Sequence, residues 1–193
     1  PRQHDDLIGI RVGTRAADLQ RTCGCDLGRQ RFARWPGVEW TPDNAELVNR
    51  SEIVILSVRP EQFGALDLDL RNRLVISVMA AVSMSTLRLK LNSERIVRSM
   101  PNAAAEIGRS YTPWLASESV SLADREFVAS LFSCCGEQDE IDSEAQLDYL
   151  SGLCGTGPAY PALLAQAMLQ DALARGIREQ VAVKAVRGVG IDL

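Results

Sequence analysis

Histidine is almost absent: His4, in the polar stretch from Pro1 to Asp6, is the only one in 193 residues. That excludes a Ser-His-Asp triad, a Cys-His dyad and any multi-histidine metal site. The five cysteines, Cys23, Cys25, Cys134, Cys135 and Cys154, are odd in number and include no Cys-x-x-Cys pair. Neither a disulfide framework nor a zinc centre is indicated, and buried free thiols are expected. There is no basic run, and a net charge of -4 with a pI near 5.1 disfavours a nucleic-acid partner. The apolar stretches are only strand-length and the amino-terminal residues do not form a signal peptide, so no membrane association is expected and the cytoplasm is the expected location.

What remains is an ordinary globular composition, 46% hydrophobic and 24% charged, long enough for one large domain or a domain with a smaller appendage. The chain is organised around Ser51 to Gln62. Ile53 to Val58 is nearly all aliphatic, as suits a strand covered on both faces of a parallel sheet. Pro60 has no amide hydrogen and biases Arg59 towards an extended conformation, which ends the strand in a turn and helix. Ligands of open parallel sheets sit just beyond such strand ends; the alternative is a core strand with a solvated arginine at its exit.

Other strands are expected at Ile8 to Val12, Val38 to Trp40, Leu74 to Val78, Arg95 to Ser99, Tyr111 to Ala116 and Gln138 to Ile141. Leu19 to Arg34 reads as partly helical, Thr41 or Asp43 can cap a helix over Ala45 to Arg50, and Ser85 is expected to cap one ending at Leu91. Ser121 and Asp124 form a capping box for a helix running to Gly136 as its C-cap. Strands and crossovers alternate, which gives an α/β fold with a mainly parallel sheet. From Ser143 the pattern is helical alone, so a boundary is set between residues 1–142 and 143–193. The helix expected over Pro158 to Arg175 is apolar nearly all round and needs cover on most faces, from a second subunit or from the sheet domain.

A dinucleotide-binding sheet needs a glycine-rich turn between a first strand and a helix, to hold a pyrophosphate. No such element is present: Gly152 to Gly157 follows a helix and precedes Pro158, and reads as a hinge between helices. The sheet is therefore expected to begin here at its second strand, with the first strand and phosphate loop missing. In such a fold an acid after the second strand favours NAD, whereas Arg15, in the turn Gly13-Thr14-Arg15, suits the 2′-phosphate of NADP; the alternative is a solvated arginine.

Four motifs in one order carry a resemblance. Ser57-Val-Arg-Pro-Glu-Gln62 resembles an Ala-Val-Lys-Pro-Gln segment, and Ile76-Ser-Val-Met-Ala-Ala-Val82 resembles Ile-Ser-Ile-x-Ala-Gly-Val. Arg98-Ser-Met-Pro-Asn102 matches Arg-x-Met-Pro-Asn, and Leu147-Asp148 followed by Gly155-Thr-Gly-Pro-Ala-Tyr160 matches Leu-Asp with Gly-Ser-Gly-Pro-Ala-Tyr. From about Ile8 to Gly188 the sequence resembles the pyrroline-5-carboxylate reductase family. The resemblance implies a Rossmann domain, a helical domain interlocked in a homodimer or larger assembly, and NADPH-dependent reduction of a cyclic imine, with NADH as a possible second cofactor.

It further implies that Val58, Arg59 and Pro60 lie along the nicotinamide half of the cofactor, that Ala80 and Ala81 flank the ring, that Asn44 reaches the adenosine ribose and that Arg15 meets the 2′-phosphate. Asn102 and Thr156 are assigned to the substrate side; on the residues alone the alternatives are a turn stabiliser and a helix cap. The sequence departs from the family where Thr-Pro after Met-Pro-Asn is Ala103-Ala104 and where the Ala-Gly pair is Ala80-Ala81. The Ser-Pro-Gly-Gly-Thr-Thr substrate segment has no counterpart before Leu193, and no catalytic proton donor is identified. The competing expectations are a dimeric scaffold or cofactor-binding protein, and a paralogue acting on another small imine or acid.

Overall fold

The structure, a computed structural model, describes residues 7–11, 20–23, 38–41, 43–156 and 159–189. Arg15 and its turn lie outside the described residues. Among the described residues eight strands form one sheet: β1 (Leu7–Arg11), β2 (Gln20–Cys23), β3 (Val38–Trp40), β4 (Ile53–Leu56), β5 (Leu74–Ser77), β6 (Ile96–Ser99), β7 (Ser110–Ala116) and β8 (Gly136–Glu140), in the order β3-β2-β1-β4-β5-β6-β7-β8. Strands β2 and β3, β4 to β6, and β7 and β8 pair in parallel; β1 is antiparallel to both neighbours, and β7 to β6. Within the stretch Leu19 to Arg34, expected to be partly helical, Gln20 to Cys23 is strand. Its backbone groups are taken up by β1 on one side and β3 on the other.

Among the described residues the helices are α1 (Asn44–Asn49), α2 (Pro60–Phe63), α3 (Met84–Leu91), α4 (Leu122–Ser133), α5 (Glu144–Leu150), α6 (Ala159–Ala174) and α7 (Glu179–Arg187). Alternation along the strands sends neighbouring residues to opposite faces. Val54, Leu56, Val75 and Ile96 pack with Leu47, Phe63, Leu87 and Leu91 on one face. Ile53, Leu74, Ile76 and Val97 pack with Trp114, Val128 and Phe132 on the other. Each such buried aliphatic side chain is worth roughly 1.5–3 kcal/mol relative to exposure. With both faces apolar and covered, the central strands can pair in parallel, which explains their near-continuous aliphatic sequence.

The caps are local side-chain events. Asp43 accepts from the amides of Ala45 and Glu46 to start α1. Ser83, not Ser85, caps α3, its Oγ accepting from Thr86 N at 3.1 Å. Ser121 and Asp124 form the expected box on α4. Burial pushes the Asp124 carboxyl up, but hydrogen bonds from Arg95 and Ser121 outweigh it and hold the group below the ordinary carboxylate range. The helix ends at Ser133 with Cys134 as C-cap, not at Gly136. Gly136 opens β8 instead: its φ is +141°, and a Cβ there would stand 2.1 Å from the Ser110 carbonyl oxygen, so a close approach between β7 and β8 requires glycine.

After β8, α5 leads through a π-helical turn, Ser151–Gly155, towards α6 and α7. Helices α6 and α7 pack on one another. On α6 Ala165 is buried, while Tyr160, Leu163 and Leu164 are 58%, 68% and 55% exposed. The cover that an apolar helix requires is not supplied by the sheet or by the other described residues.

Candidate functional site

Register brings the motifs together. In the parallel run β4-β5-β6, Leu56 stands beside Ser77 and Ser77 beside Arg98. The three strands therefore end in step, and their carboxyl ends deliver Ser57 to Pro60, Val78 to Ala81 and Met100 to Asn102 to one edge. Topology places ligands of open α/β sheets at such an edge.

Strand β4 passes through buried Val58 to exposed Arg59 and Pro60. Pro60 is the first helical residue of α2, where its missing amide costs nothing, and Arg59 N donates to Gln62 Oε1 at 3.2 Å. Next to it, Val78 N donates to the Leu56 carbonyl at 3.0 Å, joining the exits of β4 and β5. Ser77 is fully buried; its Oγ accepts from Met79 N at 3.3 Å, and its carbonyl accepts from Ser99 Oγ at 3.0 Å. These bonds hold up the exposed residues Ala80 and Ala81 just before α3. Ala81 has φ +59°, the left-handed region that glycine adopts without a steric cost.

Asn102 is half-buried and fully engaged: Oδ1 accepts from Ala104 N at 3.0 Å, capping the 3-10 turn Ala103–Ile107, and Nδ2 donates to the Cys154 carbonyl at 3.1 Å. The side chain thus ties the exit of β6 to the π-helical turn. Gly155 lies beside Met100, where a Cβ would meet Met100 Cε at 3.9 Å, an ordinary van der Waals contact. Thr156, at the end of the turn, is exposed, with Oγ1 donating to the Gly152 carbonyl at 3.1 Å. Burial pushes the Cys154 thiol up, and its Sγ donates to the Leu150 carbonyl at 2.9 Å, so it is held as a neutral thiol. Asn44 starts α1 after β3, separate in sequence from these turns.

One group was missed by sequence reasoning. Arg98 is only 4% exposed, and its guanidinium pairs with Glu144 at the start of α5. Glu144 Oε1 also accepts from Met84 N, the first helical residue of α3, at 2.7 Å. The available signal was a lone arginine in the otherwise buried strand Ile-Val-Arg-Ser. A cleft of about 420 Å³ does exist at the opposite, amino end of the strands, lined by Glu52, Asn72, Arg73, Arg95, Asp124 and Phe127. Its guanidiniums are engaged, Arg95 with Asp124 at 2.7 Å and Arg73 with the Val48 carbonyl at 3.4 Å. The strands end away from it.

An α/β sheet covered on both faces, with its turns gathered at the carboxyl edge and a helical tail tied to that edge, defines a Rossmann-type protein with a second, helical part. Residues 144–190 match the family described as pyrroline-5-carboxylate reductase dimerisation. The pyrroline-5-carboxylate reductase of Synechocystis is 32% identical over 76% of this chain and 56% of its own length, and that of Pseudomonas aeruginosa 31% over 90% and 66%. The chain belongs to the pyrroline-5-carboxylate reductase family. It spans a little over half to about two thirds of the length of these relatives. Among solved structures, a pyrroline-5-carboxylate reductase from Coxiella burnetii superposes with a TM-score of 0.76 at 26% identity, covering 88% of this chain and 66% of that one. The Plasmodium falciparum pyrroline carboxylate reductase with NADP bound gives 0.72 at 23% identity, over 80% and 61%, and shares the fold.

The conformation of Ala81 generates a prediction. Replacing it with glycine removes a left-handed alanine at an exposed position, and Ala81→Gly should raise stability by about 0.5–1 kcal/mol. Chemical denaturation measures this as a higher midpoint at unchanged slope; a lower midpoint would show that the turn is not strained.

Proposed function

We propose that the protein reduces 1-pyrroline-5-carboxylate to proline with NADPH. The observation that carries this reading is the meeting, at one sheet edge in a member of this family, of the exits of β4, β5 and β6 with the turn that ends at Thr156. We divide the chain into a cofactor-binding part, residues 1–142, and a helical part, residues 143–193, with the substrate held between the two.

The residues present fit the nicotinamide half of such a cofactor. Arg59 and Pro60 on one side and Ala80 and Ala81 on the other are exposed, and the two alanines present only methyl groups, leaving width for a flat ring. Val58, Arg59 and Pro60 would lie along that half, Ala80 and Ala81 beside the ring and Asn44 towards the adenosine ribose. Arg15 is assigned to the 2′-phosphate because a guanidinium matches a phosphate's fork of acceptors. Bound NADPH would supply the hydride, which reaches the imine carbon while a proton goes to the nitrogen. This chain's own part is to hold both reactants in register, the source of most of the rate in such reactions. Thr156 offers a hydroxyl to the substrate, and Asn102 holds the turn that carries it. The odd cysteine count and the free thiols at Cys134, Cys135 and Cys154 support a cytoplasmic setting. No described helix is long and apolar enough to cross a membrane.

Imine-dependent oxidation of NADPH, with proline as product, tests the activity. NADH should be used less well, and Arg15→Ala should narrow the preference about tenfold or more, the worth of one charge-assisted hydrogen bond. Absence of proline with either cofactor would refute the reading.

We propose also that a second copy of the chain covers α6. Leu163 and Leu164 are mostly exposed in the single chain, so a charge there leaves its fold intact, whereas burying it in an interface costs several kcal/mol. Sedimentation should find a dimer or larger assembly for the parent protein and monomers for Leu163→Asp and Leu164→Asp. Unchanged assembly in both variants would remove α6 from the interface.

A further inference from the structure

Arg98 and Asn102 leave the same end of β6 and grip the same piece of chain at two points. Asn102 holds the late end, through the Cys154 carbonyl. Arg98 holds the early end. It shares a face of the sheet with Ile96, so its side chain leaves the apolar layer beside the start of α3, where α5 begins. Its Nη1 donates to Glu144 Oε1, and its Nη2 lies 3.7 Å from Asp148 Oδ1. Glu144 and Asp148 are one helical turn apart and line one side of α5, so a single guanidinium fixes the rotation of that helix as well as its position. Leu147, fully buried between them, seats the same side.

The Glu144 carboxylate adds a third tie by accepting from Met84 N, an amide that α3 cannot satisfy within itself. Arg98 Nε is buried without a hydrogen-bond partner among the described residues. A guanidinium held with one unmet donor in a strand that could have continued as aliphatic is a costly choice for stability alone. From α5 the chain passes directly into Ser151–Gly155 and Thr156, with Ser151 Oγ donating to the Leu147 carbonyl at 2.7 Å. Little slack separates the ion pair from the Thr156 hydroxyl, eight residues beyond Asp148.

We propose that Arg98 is a positioning residue: through Glu144 and Asp148 it sets where the Ser151–Thr156 turn stands over the carboxyl edge, and so governs the hold on the imine substrate and not the hold on the cofactor. This rests on the imine-reductase reading. It divides the edge into two separable parts. The cofactor side, Val58 to Pro60 and Ala80 to Ala81, is built on β4 and β5 and meets the ion pair only through Met84 N at the start of α3. The substrate side is carried by a segment whose placement depends on the ion pair.

The test uses the intact protein with Glu144→Ala, with Arg98→Lys, and with Arg98→Met and Glu144→Met together, a pair that replaces the charges by apolar bulk. For each, the KM for 1-pyrroline-5-carboxylate, the Kd for NADPH, the thermal midpoint and amide exchange across residues 151–156 are measured. Glu144→Ala should raise KM about tenfold or more, as expected when a positioning group shifts by a fraction of an ångström to an ångström, with the NADPH Kd within about twofold. Arg98→Lys, which keeps a cation opposite Glu144, should lie between it and the parent. The double variant should keep the thermal midpoint yet show the raised KM, and exchange at 151–156 should quicken while β4 and β5 are unchanged. Parent-like KM and exchange in Glu144→Ala and the double variant would overturn the proposal, as would an NADPH Kd that rises in step with KM. If the parent reduces no imine, the functional reading fails on its own, and exchange decides the joint: unchanged protection at 151–156 in Glu144→Ala overturns it.

Discussion

The parallel pairing of β4, β5 and β6 is the constraint on which the rest depends. Two apolar layers force these strands into the middle of the sheet, and parallel pairing with matched ends sends all three out at the same edge. A shift of one residue would exchange the faces to which Ile53 and Val54 are buried and force both layers to repack. The turns at Arg59, Ala81 and Asn102 are neighbours for that reason, although more than forty positions separate the first from the last. Function is set by what those turns carry; the sheet determines only that they meet.

The same packing explains what could be read in the sequence. Ile-Val-Ile-Leu, Leu-Val-Ile-Ser and Ile-Val-Arg-Ser are short and largely aliphatic, and the first and last are closed by Pro60 and Pro101, so periodicity and turn chemistry agreed there. The capping box on α4 was legible because both partners lie within one turn. Gly136 was misassigned since its reason for being glycine is the backbone of Ser110, a contact between strands that local pattern does not record. Gln20 to Cys23 carries no alternating apolar pattern and is strand because of its two neighbours. Asn102 caps a turn, as its type suggests, and also reaches Cys154, fifty-two positions away, a contact that local pattern does not record.

Arg98 joins the two parts of the molecule in a way that hydrophobic pattern could not reveal. Buried ion pairs contribute little net stability when compared with apolar packing, yet they are specific about geometry: Glu144 satisfies Arg98 and the first amide of α3 at once only if α5 lies in one place. The helical tail shows the reverse balance. Helix α6 has apolar residues in excess of what its own chain covers, so its geometry is left to an additional surface. A well-specified joint at the start of the tail and an uncovered face at its middle describe a segment held by the sheet at one end, with the proposed second copy to cover the rest.

In the proposed function the cofactor lies across the carboxyl ends of β4 and β5. Amide hydrogen exchange of the protein with and without NADPH tests it most directly, since it reads binding segment by segment and needs no substrate. Slowed exchange is expected in residues 57–63 and 78–84, with no change at the amino ends around Glu52 and Arg73. Protection confined to the amino-end cleft formed by Glu52, Asn72 and Arg73, or none at either turn at saturating NADPH, would contradict it.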